Sequence, residues 1–201
     1  MVTGVVDYKA GNLKSIENAL KNLNANFIIS DDPEKLKKCD KLIFPGVGEA
    51  SSAMRNLSKY GLDQLLKEYA KKGNPLLGIC LGTQIILSWS EEGNAACLNI
   101  IEGKVQLFDK SMGLKIPQIG WNAVNFTKTH YLFKDIPDNS SFYFVHSYYP
   151  NVKKEFTIGE SEYGITFASA ISQDNVCALQ FHPERSGRHG LKLMNNFLRG
   201  E

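Results

Sequence analysis

A mixed α/β fold, with a largely parallel central sheet flanked by helices and additional antiparallel strands in the second half, is what this 201-residue sequence predicts. Three observations carry that reading. The first half alternates short apolar runs with segments of helical period, the pattern of a parallel sheet with helices on both faces. The second half passes through strand-like stretches separated by turn residues. Only the end of the chain returns to a helical stripe. The length suits one domain, residues 1–201, with a full-sized core. No repeat, low-complexity segment or linker divides it.

Residues 2–7 read as the first buried strand, and Leu13, Ile16, Leu20 and Leu23 then recur at helical spacing. Residues 27–29 are strand-like, and Pro33 opens a short helix. A further apolar strand covers 41–44 and is ended by Pro45-Gly46. A helix is expected around 62–69, a strand over 75–79, and the stretch Thr83–Trp89 opens the next helix. Strands follow over 100–108, 123–126, 142–149, 156–160, 165–171 and 176–181. The closing helix sets Leu191, Met194, Phe197 and Leu198 on one face.

Composition narrows the function classes. Hydrophobic residues make up 43% and charged residues 22%, as in an ordinary globular chain. The formal net charge is +2, and the short lysine clusters Lys35-Leu36-Lys37-Lys38 and Lys71-Lys72 lie beside expected helices, where they read as solvated faces. Without a dense basic stripe and aromatic platforms, no nucleic-acid partner is expected. No apolar run approaches the ~20 residues of a membrane span, and Asp7 follows Met1 too soon for a signal peptide. Cys39, Cys80, Cys97 and Cys177 are widely spaced, with no C-x-x-C pair, so neither a zinc site nor a disulfide framework is expected. These features point to a cytoplasmic chain.

Chemistry concentrates at Pro75-Leu76-Leu77-Gly78-Ile79-Cys80-Leu81-Gly82-Thr83-Gln84, where an apolar strand runs through G-x-C-x-G into a helix. This is a nucleophile elbow with cysteine in the place of serine. Glycine on either side suits a turn too sharp for a Cβ. The turn lifts the sulfur above the carboxyl end of the sheet and sets it at a helix N-terminus, which favours thiolate. A base is offered by His182, which begins His182-Pro183-Glu184 at the end of a strand. Residues i and i+2 of an extended segment point the same way, so Glu184 can orient the imidazole. His130 is in a loop, His189 lies at the polar start of the last helix, and His146, in the aromatic run over 142–149, is the rival base. For an oxyanion hole, the Leu81 N–H is one donor, and Pro45-Gly46-Val47-Gly48, directly after a strand, is the candidate loop for the other.

At these residues the chain resembles the class I (triad-type) glutamine amidotransferases, whose fold is flavodoxin-like. Within them it is most similar to the glutaminase subunits of imidazole glycerol phosphate synthase. The narrower resemblance rests on residues 7–13 (Asp7-Tyr8-Lys9-Ala10-Gly11-Asn12-Leu13), Pro45-Gly46-Val47-Gly48, residues 115–122 (KIPQIGWN), residues 143–149 (YFVHSYY) and residues 181–187 (FHPERSG). It implies Cys80 as nucleophile, His182 as base and Glu184 as orienter, with Val47, Gly48 and Leu81 at the oxyanion hole. It further implies that Gly48, Gln84 and the backbone around Ser147-Tyr148 hold glutamine, and that His146 is pocket wall. No metal or organic cofactor is implied. The implied partner is a (β/α)₈-barrel cyclase, in a heterodimer that uses the ammonia to make imidazole glycerol phosphate and aminoimidazole carboxamide ribotide.

The pattern departs at Thr83, where methionine is usual, at Gln118 (histidine), at Glu49-Ala50 (Ala-Phe) and at Lys9 (glycine). None falls on the implied triad; they bear on the ammonia acceptor, for which a sugar of a surface-glycan pathway is the alternative. Two other classes stand beside this reading: a cysteine hydrolase or protease on a related elbow, and a binding subunit without catalysis.

Overall fold

The computed structural model describes residues 1–9 and 13–200. Part of one family-like motif, Ala10-Gly11-Asn12, lies outside the described residues. In chain order the first half contains β1 (Thr3–Val6), α1 (Leu13–Asn22), β2 (Phe27–Ser30), α2 (Pro33–Leu36), β3 (Lys41–Gly46), α3 (Ala50–Lys59), α4 (Leu62–Lys71), β4 (Leu76–Cys80) and α5 (Leu81–Ile86). The second half contains β5 (Trp89–Ser90), β6 (Ala95–Ala96), β7 (Gly103–Leu107), β8 (Gln118–Phe126), β9 (Ser140–His146), β10 (Tyr148–Val152), β11 (Thr157–Glu162), β12 (Thr166–Gln173), β13 (Val176–Leu179) and α6 (Gly187–Arg199).

Nine strands form one sheet in the order β2-β1-β3-β4-β13-β12-β11-β8-β9. Pairing is parallel from β2 through β13 and antiparallel from β13 to β9. Strands β1, β3, β4 and β13 are buried along their whole length, as parallel strands covered on both faces must be. Two apolar clusters lie on the two sides of this sheet. One packs Phe44, Leu57, Leu65 and Leu81; the other packs Ile16, Phe144, Phe181 and Phe197. A smaller sheet, in the order β10-β7-β5-β6, stands beside them.

Local chemistry sets the element ends. Asp32 caps α2 by accepting the Glu34 N–H at 2.9 Å, with Pro33 in the first helical position. Helix α6 stops at Gly200, whose φ of +74° suits a residue without a Cβ. Its terminal carbonyl at Phe197 accepts from the buried Lys41 Nζ at 2.8 Å.

The structure corrects several expected boundaries. Strand β3 continues through Pro45-Gly46 because Gly46 pairs with Cys80. Helix α5 ends at Ile86, and Trp89, expected within that helix, sits in β5 paired with Ala96 and Lys104. Helix α3 was not expected: Ala50, Ala53 and Leu57 make a narrow apolar stripe among serines, which carry little periodic signal. The aromatic run over 142–149 is two strands, since β9 stays in the large sheet and β10 joins the small one, with the break at Ser147. Strand β13 stops at Leu179, two residues early.

The close packing of the elbow gives a direct test. A Cβ built at Gly82 would collide with the Phe44 carbonyl oxygen, a backbone atom that β3 holds in place. Gly82→Ala is expected to lower stability by about 1–3 kcal/mol, read as a lower urea midpoint with an unchanged m-value.

Candidate active site

Cys80 is the last residue of β4 and caps α5, with φ 54° and ψ −108°. That backbone is strained for any residue bearing a Cβ, at a cost of about 1–3 kcal/mol. Such strain persists only where neighbours over-determine it. Here β4 lies between β3 and β13, and Gly78 and Gly82 let α5 fold back against the sheet. A Cβ on Gly78 would stand 2.6 Å from Ile86 Cδ1 and 3.1 Å from the Gly82 carbonyl carbon. The result is a thiol at a helix N-terminus, at the carboxyl end of a central parallel strand.

The two strands beside β4 deliver the other groups. In β3, Gly46 pairs with Cys80, so the chain leaving β3 carries Val47 and Gly48 along the cleft. Gly48 has φ +100°, a conformation few residues but glycine adopt. Beyond β13, the chain reaches His182, whose backbone N–H donates to the Tyr143 carbonyl at 2.9 Å. His182 is extended, but residues 183–185 form a 3₁₀ turn. The turn, rather than the expected extended segment, brings Glu184 under the imidazole. The Glu184 carboxylate accepts from His182 Nδ1–H at 2.8 Å, and the two side chains are 8% and 5% exposed. Nε2 is left as the ring nitrogen for Cys80. Glu184 Oε2 is buried without a hydrogen-bond partner, so this carboxylate serves His182 alone.

His182 and His146 are both buried, and their neighbours drive them in opposite directions. Burial disfavours the His182 imidazolium, but hydrogen bonds and charge from Cys80 and Glu184 outweigh it and raise the pKa to about 10. His146 lacks a carboxylate. Burial lowers its pKa to about 4, against the Tyr148 carbonyl that raises it and with the His182 charge that lowers it further. Its Nδ1 lies 2.7 Å from the Tyr148 carbonyl oxygen and its Nε2 2.8 Å from Gln118 Oε1. Both ring nitrogens face these oxygens, with the neutral ring's single N–H donating to one of them, so neither is turned toward Cys80. The neutral His146 is therefore cleft wall.

A cleft of about 310 Å³ is lined by Val47, Gly48, Cys80, Leu81, Gln84 and Ser147, with Tyr148, His146 and His182. Every site residue expected from the sequence thus meets there, except Glu184, which stands behind His182. Sequence reasoning missed four further lining residues, Glu92, Pro117, Val145 and Arg185. Glu92 comes from a short 3₁₀ turn (Glu92–Asn94) between β5 and β6, where the sequence predicts no element, and its Oε2 accepts the Ala50 N–H at 3.0 Å. It also missed Gln180, a fully buried polar side chain beneath Cys80. A glutamine two residues before the histidine was the available signal.

The departures from the family pattern find local partners. Thr83 Oγ1 donates to the Leu179 carbonyl at 2.6 Å, tying α5 to the end of β13. Gln118 engages His146, as above. Glu49 precedes α3 and accepts from the Ser51 and Ser52 hydroxyls, both at 2.9 Å. Lys9, where glycine is usual, has φ +61° and pairs with Asp7 and Asp31, each at 3.0 Å. Among the described residues no cluster of His, Cys, Asp and Glu could hold a metal ion, and no helix is long and apolar enough to cross a membrane.

A strained cysteine elbow on a parallel sheet, backed by a histidine–carboxylate pair, defines an acyl-transfer type of site. The family profile described as glutamine amidotransferase class-I matches residues 4–200. This chain belongs to that family. It is 45% identical to the imidazole glycerol phosphate synthase subunit HisH of Maridesulfovibrio salexigens, over 96% of this chain and 94% of that one. It is also 45% identical to the subunit of the same name from Methanosarcina barkeri, over 96% of each chain. A protein of Campylobacter jejuni named imidazole glycerol phosphate synthase subunit HisH 1 is 43% identical, over 97% of this chain and 98% of its own. Among solved structures, a glutamine amidotransferase superposes with a TM-score of 0.76 at 20% identity, over 99% of this chain and 98% of that one. PurLQS of Thermotoga maritima gives 0.74 at 18% identity, with 99% and 98% covered. These structures share the fold.

The imidazolium depends on Glu184, which yields a signed pH effect. Glu184→Gln removes a negative charge from Nδ1, so the His182 pKa falls and the imidazolium is lost at lower pH. The alkaline limb of kcat/KM for glutamine is expected to move to lower pH by about one unit or more, with the acidic limb moving less.

Proposed function

We propose that this chain, acting as a single glutamine amidotransferase domain over residues 1–201, hydrolyses glutamine to glutamate and ammonia. The ammonia passes to a (β/α)₈-barrel cyclase partner that makes imidazole glycerol phosphate and aminoimidazole carboxamide ribotide, in histidine biosynthesis. The observation that carries the chemistry is strained Cys80 and His182 lining one cleft, with the buried Glu184 behind the imidazole. The relatives named imidazole glycerol phosphate synthase subunit, 43–45% identical along nearly the whole chain, carry the acceptor and the partner. They disfavour the alternative of a sugar acceptor.

In this mechanism the Cys80 thiolate attacks the side-chain amide carbon of glutamine, and the carbonyl electrons move onto oxygen. Leu81 and the Val47-Gly48 loop supply the N–H groups for that oxyanion. The His182 imidazolium gives its proton to the departing nitrogen, which leaves as ammonia and yields a glutamyl thioester. Neutral His182 then takes a proton from water as water attacks the thioester, and glutamate leaves while the thiolate–imidazolium pair is restored. Gly48, Gln84 and the Ser147-Tyr148 backbone hold the substrate, and the Glu92 carboxylate offers a partner for its α-ammonium group. None of these steps calls for a metal or an organic cofactor.

The rim of the cleft supports a protein partner. Val47, Ile119 and Trp121 are 43%, 58% and 59% exposed, a large apolar outlay for a surface without one. Trp121 meets Tyr143 edge-on, and the Arg185 guanidinium sits 4.6 Å from the Tyr143 ring centroid and also lines the cleft. Through Tyr143 and Arg185, the exposed Trp121 is thereby linked to the cleft where ammonia forms. Four cysteines, all buried and unbonded, support a reducing, cytoplasmic setting.

The test compares nitrogen sources. With the cyclase partner present, Cys80→Ala is expected to reduce glutamine-dependent synthesis by roughly 10⁴-fold or more, while synthesis from added ammonium continues at the wild-type rate. Glutamine-dependent synthesis that survives the substitution sinks the mechanism. Hydrolysis of esters or peptides without the partner and without preference for glutamine indicates a general cysteine hydrolase instead.

A further inference from the structure

Gln180 stands one residue beyond β13 and two before His182, fully buried. Its backbone N–H donates to the Ser169 carbonyl at 2.8 Å, which keeps it aligned with β12. Its side chain spans two parts of the site. Nε2 lies 3.9 Å from Cys80 Sγ, within reach of an N–H···S hydrogen bond, and Oε1 accepts from Gln84 Nε2 at 3.0 Å. The same Gln84 nitrogen stands 3.3 Å from the Tyr148 carbonyl oxygen, so its two hydrogens have two acceptors. The chain of contacts runs from the sulfur through Gln180 and Gln84 to the Tyr148 backbone. Gln84 and Tyr148 line the cleft, whereas Gln180 does not.

A buried primary amide is costly to hold unless both its ends are used. Here one end serves the nucleophile and the other a wall residue. An amide N–H also differs from an imidazolium as support for a thiolate, because it has no proton to lose as pH rises. Two other groups near the sulfur do not substitute for it. The Val145 carbonyl, 3.8 Å away, can only accept from a thiol, and the buried Tyr8 hydroxyl lacks any hydrogen-bond partner.

We propose that Gln180 is a positioning residue that couples the glutamine-holding wall to the nucleophile, its N–H supporting the Cys80 thiolate while its carbonyl fixes the Gln84 side chain. This rests on the reading of Cys80 as the attacking group. Disturbing Gln84 therefore reaches the sulfur, and disturbing Gln180 reaches substrate affinity.

The experiment reads the two ends separately, in the complex with the cyclase partner. Alkylation of Cys80 by iodoacetamide is followed against pH by mass spectrometry of the Cys80 peptide, and KM and kcat for glutamine are measured on the same samples. Gln180→Met fills similar volume without donor or acceptor. It is expected to raise the alkylation midpoint by about half a pH unit or more, slowing alkylation below the midpoint about threefold, and to raise KM. Gln84→Met leaves Gln180 in place but frees its amide. It is expected to raise KM and to move the alkylation midpoint in the same direction by less. In the double variant the KM effect is smaller than the product of the single effects, because they break one shared contact. A wild-type alkylation profile in Gln84→Met, or in Gln180→Met with an unchanged circular dichroism spectrum, overturns the coupling, as do KM effects that multiply. Failure of the underlying reading looks different: glutamine turnover then persists in Cys80→Ala whatever the alkylation profiles show.

Discussion

The backbone at Cys80 is the constraint on which the rest of the site depends. A residue with a Cβ at φ 54°, ψ −108° gives up about 1–3 kcal/mol to be there. The surroundings must hold it against relaxation. Parallel pairing on both sides fixes the direction of β4 up to Cys80, and α5 begins at once because Gly82 can lie against the Phe44 carbonyl. Gly46 obeys the same geometry from the other side, since a Cβ there would strike the Tyr8 hydroxyl. That hydroxyl is buried without a hydrogen-bond partner beneath the site, and both burial and the Cys80 charge push its pKa up. The turn thus spends packing freedom on three glycines to present one sulfur.

Strand order then decides which chemistry reaches that sulfur. Neighbours in the sheet come from distant parts of the sequence: β3 ends at Gly46 and β13 begins only at Val176, yet both flank β4. The Val47-Gly48 loop leaves the end of β3 and the histidine follows the end of β13, so both arrive at the same level as Cys80. The antiparallel half contributes by a different device. Strand β9 carries His146 to the cleft, and the chain then changes sheets at Ser147, leaving the Ser147-Tyr148 backbone free of the large sheet's ladder. His146 steadies that crossing through the Tyr148 carbonyl.

Much of this was legible in the residues. The alternation of apolar runs located the parallel strands, and G-x-C-x-G named the elbow because only glycine satisfies its contacts. The His182–Glu184 pairing was legible too, although the extended geometry invoked for it was not the one adopted; a 3₁₀ turn makes the contact instead. Other features lacked a local signal. Trp89 continues an apolar run that began in α5, and only long-range pairing with Ala96 and Lys104 turns it into strand. The break at Ser147 is invisible in an aromatic run that suits strand on either side. Glu92 and Gln180 reach the site by tertiary placement, and a glutamine carries no periodicity that distinguishes a buried support from a solvated side chain.

The two buried histidines show why the cleft needs its supports arranged as they are. Desolvation alone would leave both neutral, as it leaves His146, and a neutral His182 would have no proton for a departing ammonia. Cys80 and Glu184 reverse the direction at His182, and in the proposed mechanism Cys80 is the partner whose charge disappears when the thioester forms. Formation of the acyl-enzyme therefore removes part of what holds the proton on His182. On that proposal the imidazole becomes a better base at the step where water must be deprotonated, and Glu184, whose carboxylate has no other partner, is placed to keep it oriented. The proposed alternation between acid and base thus needs only the change of charge at Cys80.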